Sequence, residues 1–328
     1  MKRVLFLILF TFVLIFAYSE NTISSALRKF DNVIFETRSG IAETSIGFIT
    51  YADTNTCGTV AEWFRSEIEK AANDTRRIHV VSSSHLDEQE KVVLASRGHN
   101  SGIIIAKKNP NENKYAIDGI YIEKNERIEL ELSLRDHTGK KICSENAVIS
   151  SSTIKNLGLS LYPQNLEFSK TVQKDFEKAV KETSNGKITV TASMIDTDGN
   201  LVNILHPGDI VRFMIAVDSD AYIAIQGIDA EKDSYWLPVE NPLIPAGEMR
   251  IFPDGDMEYQ VMNGIFGAEQ LIIHASSSLD GLPNQNVQGL YTGELISKSR
   301  GMGAVRKKAS NGEKVNTGLF KISYTVVE

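Results

Sequence analysis

Tyr222, Tyr235, Trp236 and Pro238 gather around a short acidic stretch, residues 229–233. Aromatic rings give large contact area for little lost entropy, so this group is the candidate partner-binding site. The same rings would also serve as the core of a β-sandwich. Cys57 and Cys143 are the two cysteines. They are too few for a disulfide scaffold or a four-thiolate zinc site. In an oxidising compartment they leave two states open, a bridge or two free thiols. A bridge would close a long loop and contribute on the order of 4 kcal/mol by the chain-entropy argument.

Asp196-Thr197-Asp198-Gly199-Asn200 spaces oxygen donors as a calcium loop does. It lies between two alternating strand patterns and lacks a distal glutamate between two helices, so a hairpin turn is expected. Asp254-Gly255-Asp256 reads the same way. His79, His85, His99, His137, His206 and His274 never fall at the i, i+4 or short-hairpin spacing that aims imidazoles at one metal. The chain has no Gly-x-Ser-x-Gly elbow and no phosphate-cradling glycine loop ending in Lys-Ser or Lys-Thr, and Gly301-Met302-Gly303 reads as a turn. No catalytic residue, cofactor or metal is expected, although groups distant in sequence could still converge.

At 328 residues, with 42% apolar and 23% charged residues, the chain suits two globular domains rather than a coiled coil or a disordered tail. A formal charge of −7 gives no general basic field, which argues against nucleic-acid binding. The acidity is uneven: residues 187–290 hold 4 basic and 15 acidic side chains, and residues 291–328 hold 7 basic and 3 acidic. Arg306-Lys307-Lys308 is expected as a solvated loop rather than a docking patch.

Lys2 and Arg3 precede an almost wholly apolar run, residues 4–17, and Ala17-Tyr18-Ser19 then places small residues two apart. This is the pattern of a signal peptide, residues 1–19, cleaved after Ser19. The run is shorter than the roughly 20 residues of a spanning helix, so no integral span is expected after cleavage. No cysteine follows it to carry a lipid. A periplasmic protein and one associated with the outer membrane both remain open.

The elements that would position these groups follow from periodicity. Residues 45–53 alternate as a strand. Thr59 and Glu62 have the spacing of a capping box, and Val60, Phe64, Ile68 and Ala71 form the stripe of a helix ending near Asn73. Residues 78–81 read as a strand, residues 84–98 as a helix and residues 102–105 as a buried strand, a βαβαβ-like order. Residues 115–121, 127–134 and 141–149 then read as a meander, turning at Asp136-His137-Thr138-Gly139. A helix follows Pro163 and Asn165, striped by Phe168, Val172, Phe176 and Val180 and ended by Asn185-Gly186. Beyond Lys187 strands dominate, at residues 188–194, 211–217, 222–228, 248–252 and 270–275. The fold class is α+β: a mixed α/β domain over residues 20–160, a linker helix over 161–186 and an all-β, sandwich-like domain over 187–328.

Residues 187–327 resemble the envelope-associated family called domain of unknown function 4384. The matching residues are Pro207-Gly208-Asp209 through Phe213, Asp220-Ala221-Tyr222 through Asp229, Trp236-Leu237-Pro238, Ile244-Pro245-Ala246-Gly247, Phe252-Pro253 and Ala275-Ser276. The resemblance implies a β-rich interaction module without established catalytic residues. Residues 45–151 are similar to the N-terminal domain shared by the curli-secretion lipoprotein, the flagellar outer-membrane protein FlgO and TolB. That likeness rests on Gly47-Phe48-Ile49-Thr50, the helix through Trp63, Val80-Val81, residues 116–121 and 128–136, and Thr138 through Cys143. This chain lacks the lipidated cysteine of the curli protein and any long alternating segment to line a pore.

The expected function is an exported, non-catalytic binding or scaffold protein of a bacterial cell envelope, modulating an envelope or surface assembly through envelope protein partners. The alternative is an extracytoplasmic hydrolase, or a regulatory subunit of one, with its site at the domain junction.

Overall fold

The computed structural model describes residues 22–37, 40–86, 91, 114–183, 188–264, 266–285, 289–290 and 315–328. The leader over 1–19, the strand over 102–105, Asn185-Gly186, residues 301–303 and 306–308 lie outside the described residues. So does the helix expected over 84–98, except for residues 84–86 and Lys91. Its start is a 3₁₀ turn, Ser83–His85, where the Ser82 side chain accepts from the Ser84 amide.

The first body begins with α1, Ile23–Thr37, then β1, Ala42–Tyr51, α2, Val60–Asn73, and β2, Ile78–Val81. It closes with β3, Lys114–Lys124, β4, Arg127–Asp136, β5, Lys141–Ser150, and the short α3, Ser151–Asn156. The sheet order is β2-β1-β3-β4-β5. β1 pairs in parallel with β2 and β3, and β3, β4 and β5 are antiparallel neighbours. A sheet of this mixed kind needs a covered face, and α1 and α2 supply it. Leu27, Phe30, Phe64, Ile68, Ile117, Leu130 and Leu132 are buried in the resulting core, each such side chain worth about 1.5–3 kcal/mol.

α1 and α3 are absent from the sequence expectations. Ile23, Leu27, Phe30 and Ile34 of α1 are all buried, and their three-to-four spacing carries the signal. The expected capping box at Thr59 does not form. Thr59 makes no side-chain cap; its amide and hydroxyl bond Ser160, whose own amide donates back to Thr59 Oγ1 at 2.9 Å. A tertiary partner has taken the hydroxyl that the local motif would use. Beside it, a Cβ on Gly58 would lie 2.3 Å from the Ser160 carbonyl oxygen, so only glycine permits this approach.

The second body is a sandwich. Its larger sheet runs β15-β10-β9-β14-β16-β7, with β11 also on β9; its smaller sheet centres on β8, flanked by β12, β13 and β6. The strands are β6, Val190–Ile195, β7, Ile204–Leu205, β8, Ile210–Val217, β9, Ala221–Ile228, β10, Asp233–Leu237, β11, Leu243–Ile244, β12, Met249–Phe252, β13, Tyr259–Gln260, β14, Gly267–Ser276, β15, Gly289–Leu290, and β16, Thr317–Val326. β16 escaped the sequence reading, yet Phe320, Ile322, Tyr324 and Val326 alternate through it and it pairs with β14 along its whole length. Ile215, Ile223, Ile225, Ile273 and Phe252 fill the space between the sheets.

The helix α4, Leu166–Thr183, lies on the outer face of the larger sheet. Phe168, Val172, Phe176 and Ala179 pack there with Ile228, Ile272 and Leu319. Val180, expected on the stripe, is 41% exposed. At 3.6 residues per turn, position 180 has rotated about 120° from Phe168, whereas 179 has rotated only about 20°. Asn165 anchors the start of this helix: its Nδ2 donates to the Ala230 and Ala268 carbonyls, and its Oδ1 accepts from the Ala268 amide at 2.7 Å.

The two bodies touch through apolar side chains. Phe48 and Ala116, on the face of the first sheet opposite its helices, pack with Leu86 against Ile195, Leu201, Met214 and Met249. This contact covers Ile195 of β6; every residue of that strand is buried, where alternation alone would leave Thr191 and Ser193 in water.

Candidate functional site

The four candidate binding side chains do not form one patch. Tyr235 and Trp236 are neighbours on β10 and so point to opposite faces of the sheet. Tyr235 turns inward over Gly227, its direct partner on β9, where a Cβ would meet its ring at 2.1 Å. Trp236 turns outward, its ring 5.4 Å from that of His274. Tyr222 shares the outer face with Trp236, four residues from Gln226, the direct partner of Trp236. Pro238 is exposed beyond the strand, and its carbonyl accepts the Tyr259 hydroxyl at 2.6 Å. Sequence could place these rings near one another, but the period of two in β10 divides them.

The inward side of β10 opens on a cavity of about 320 Å³ between the two sheets. Met194, Val211, Phe213, Leu237 and Leu271 form its apolar walls. One wall is polar. Glu269 and Tyr324 stand directly opposite on β14 and β16, and the Tyr324 hydroxyl donates to Glu269 Oε2 at 2.6 Å. Burial pushes the Glu269 carboxyl up to about 7, against the pull of Tyr324 and the Ala230 amide, with Asp229 adding to the rise. Burial likewise pushes Tyr235 up to about 12. Asp229 Oδ1 accepts the Glu231 and Asp233 amides, so the acidic stretch is a turn built on that carboxylate. Glu269 was not among the candidate residues. Its signal is a lone carboxylate in phase with Leu271, Ile273 and Ala275, the inward positions of β14.

A chain of polar contacts occupies the opposite face of the same sheet. Gln226 donates through Nε2 to Ser234 Oγ at 2.8 Å, which leaves its Oε1 to accept from His274 Nε2 at 3.1 Å. His274 therefore carries its proton on Nε2. Burial drops its pKa to about 3. Ser323 donates to Gln270 Oε1, Gln270 Nε2 to Ser169, and Lys321 Nζ to Gln173, tying β14 and β16 to α4. Burial lowers the Lys321 ammonium to about 7, opposed by Glu177.

At the junction of the bodies, the Asp-rich turn performs docking. Asp196 accepts the Asn200 amide at 2.7 Å and closes the expected hairpin turn. Asn200 Oδ1 then accepts from Ser82 Oγ and the Ser84 amide, and the Leu201 amide donates to Ser83 Oγ at 2.9 Å. Among the described residues, no three His, Cys, Asp or Glu side chains gather as a metal site requires. A second cavity of about 310 Å³ lies at this junction, lined by Glu62, Arg65, Ser66, Glu69 and Asn203 among others. Arg65 spans it, donating to the Ile46 carbonyl and lying 3.8 Å from Glu69.

Cys57 and Cys143 are not bridged to each other. The Cys57 amide donates to Thr325 Oγ1 of β16, whereas Cys143 lies on β5, the outer strand at the far side of the first sheet. A bridge requires Cα atoms within about 7 Å. The fold sends these two residues to different neighbours instead.

No protein-family profile matches the chain, and no curated protein matches it. Among solved structures, the LpoB C-terminal domain from Escherichia coli aligns at 13% identity and a TM-score of 0.25, covering 39% of this chain and 98% of that one. The LpoB C-terminal domain from Salmonella enterica aligns at 11% identity and 0.24, over 39% and 98% of the two chains. TolB from Acinetobacter baumannii aligns at 11% identity and 0.20, over 72% of this chain and 58% of that one.

Proposed function

We propose that this chain is an exported, non-catalytic binding protein of a bacterial cell envelope, holding or modulating an envelope or surface assembly. The Lys2-Arg3 start, the apolar run and the small residues at 17 and 19 support export. Among the described residues, no helix is long and apolar enough to cross a membrane.

The observation that carries the reading is the outer face of β3–β5. Among the described residues β5 ends its sheet, and on the face opposite the helices Ile120 and Val148 are each 40% exposed; Ile142, at the register shift of β5, is 38% exposed. Glu129 and Glu131 lie between them in register, paired with Lys124 and Lys141. Apolar side chains on an open edge strand, interleaved with charges, fit a partner that adds to or covers the sheet. The test is capture from a detergent-solubilised envelope extract of the source organism, using immobilised whole protein and its Val148→Lys variant. One defined complex held by the first and lost by the second supports the reading. Equal recovery by both, or none by either, counts against it.

The hydrolase alternative draws on the junction cavity, where Glu62, Arg65, Ser66 and Glu69 meet. Turnover on a hydrolase panel, abolished by Ser66→Ala, would favour it.

A further inference from the structure

The cavity inside the sandwich has a volume in the range of small-molecule sites, about 320 Å³. Its walls come from both sheets, and Met262, 75% exposed, stands at its rim. Two carboxyl groups, Glu269 at 8% exposure and Asp229 at 9%, line the same wall, while none of the described lining residues is Lys, Arg or His. Such a wall is electronegative, and a carboxylate buried without a cation is costly. Asp229 Oδ1 accepts two turn amides and Glu269 Oε2 accepts the Tyr324 hydroxyl, so each carboxyl keeps its second oxygen outside those bonds, and Glu269 stands beside the Tyr324 hydroxyl on the same wall.

We propose that this cavity binds a small amphiphile with a primary ammonium head on an apolar tail, the head meeting Glu269 and Tyr324 and the tail lying among Val211, Phe213, Leu237 and Leu271. The inference is independent of the envelope-partner reading, since it concerns a different part of the molecule from β5. The charge complementarity selects against an anionic head of the same tail length. It also makes binding proton-linked. Glu269 is partly protonated near neutrality in the empty cavity, and capture of an ammonium group drives it to the carboxylate with release of a proton. Among the described residues, the titratable groups facing it are Tyr324 from β16, Tyr235 from β10 and Asp229 just beyond β9.

The experiment is calorimetric titration of the whole protein with n-octylamine, n-octanol and octanoate near pH 7, repeated in buffers of different ionisation enthalpy. The expected result is n-octylamine binding at least tenfold more tightly than n-octanol, octanoate weakest, with proton release on amine binding. In Glu269→Gln the amine preference and the proton release disappear while n-octanol binding persists. Equal affinity for the three probes, a preference that survives Glu269→Gln, or no binding of any probe would overturn the proposal. The three-probe comparison on the unaltered protein decides the matter even if the variant does not fold.

Discussion

Glu269 and Tyr324 face each other across β14 and β16, and the Tyr324 hydroxyl bonds the carboxyl inside the sandwich at 2.6 Å. The pair sits where two sheets part to leave a cavity, so it is both buried and reachable from one side.

That placement sets a pH dependence of stability. The Glu269 carboxyl is raised from 4.5 to about 7 by burial. Below the lower value both folded and unfolded chains hold the proton. Between the two values the unfolded chain loses it and the folded chain keeps it, so stability falls as pH rises and levels off above about 7. The raised value corresponds to about 3 kcal/mol. Denaturant unfolding at several pH values should show this fall in the native chain relative to Glu269→Gln. Parallel profiles for the two would contradict it.

Tyr235 lies over Gly227, where a methyl group would meet the ring at 2.1 Å. Gly227→Ala should therefore cost about 1–3 kcal/mol through overpacking. The same substitution in a Tyr235→Ala background should cost much less, because the obstructing ring is gone. A double-mutant cycle by denaturant unfolding measures this coupling, and additive costs would refute the contact.

Asn165 pairs with both backbone groups of Ala268 and with the Ala230 carbonyl. Asn165→Ala should destabilise the chain by about 1–3 kcal/mol, since it leaves half-buried backbone groups without partners. Hydrogen exchange should report faster opening of the start of α4 and of the Ala268 amide. Unchanged protection at both would show that the clamp is not made in solution.

The cysteines offer a chemical check. Thiol titration of the denatured protein, purified without reductant, should find two reactive thiols, Cys57 and Cys143 being unbridged. In the folded protein Cys57 should be inert because it is fully buried, and Cys143 should react slowly, burial and Glu145 having raised its pKa.

The sequence made much of the fold legible because burial follows period. Ile128, Leu130, Leu132 and Leu134 alternate along β4 and all four are buried, and Val60, Phe64, Ile68 and Ala71 mark the inner face of α2 as expected. What escaped depends on contacts far along the chain. Thr59 has the spacing of a cap, but Ser160 claims it, and Thr191 and Ser193, on the polar side of the alternation in β6, are buried nonetheless. The candidate site suffered in the same way. Tyr235 and Trp236 read as one aromatic group, but adjacent strand residues must part, and the polar wall that Tyr235 joins needs Glu269 and Tyr324, which lie on strands 34 and 89 residues further on. No local window contains that wall.

The most direct test of the proposed envelope role is site-specific photo-crosslinking in living cells of the source organism. A photoreactive residue is placed at Val148 on the exposed face of β5 or at the exposed Ile142 of the same strand, with Glu167, exposed on α4, as the control position. A discrete adduct at the two β5 positions and none at Glu167 is the expected result. No adduct at either β5 position, or the same adducts at all three, would contradict the account.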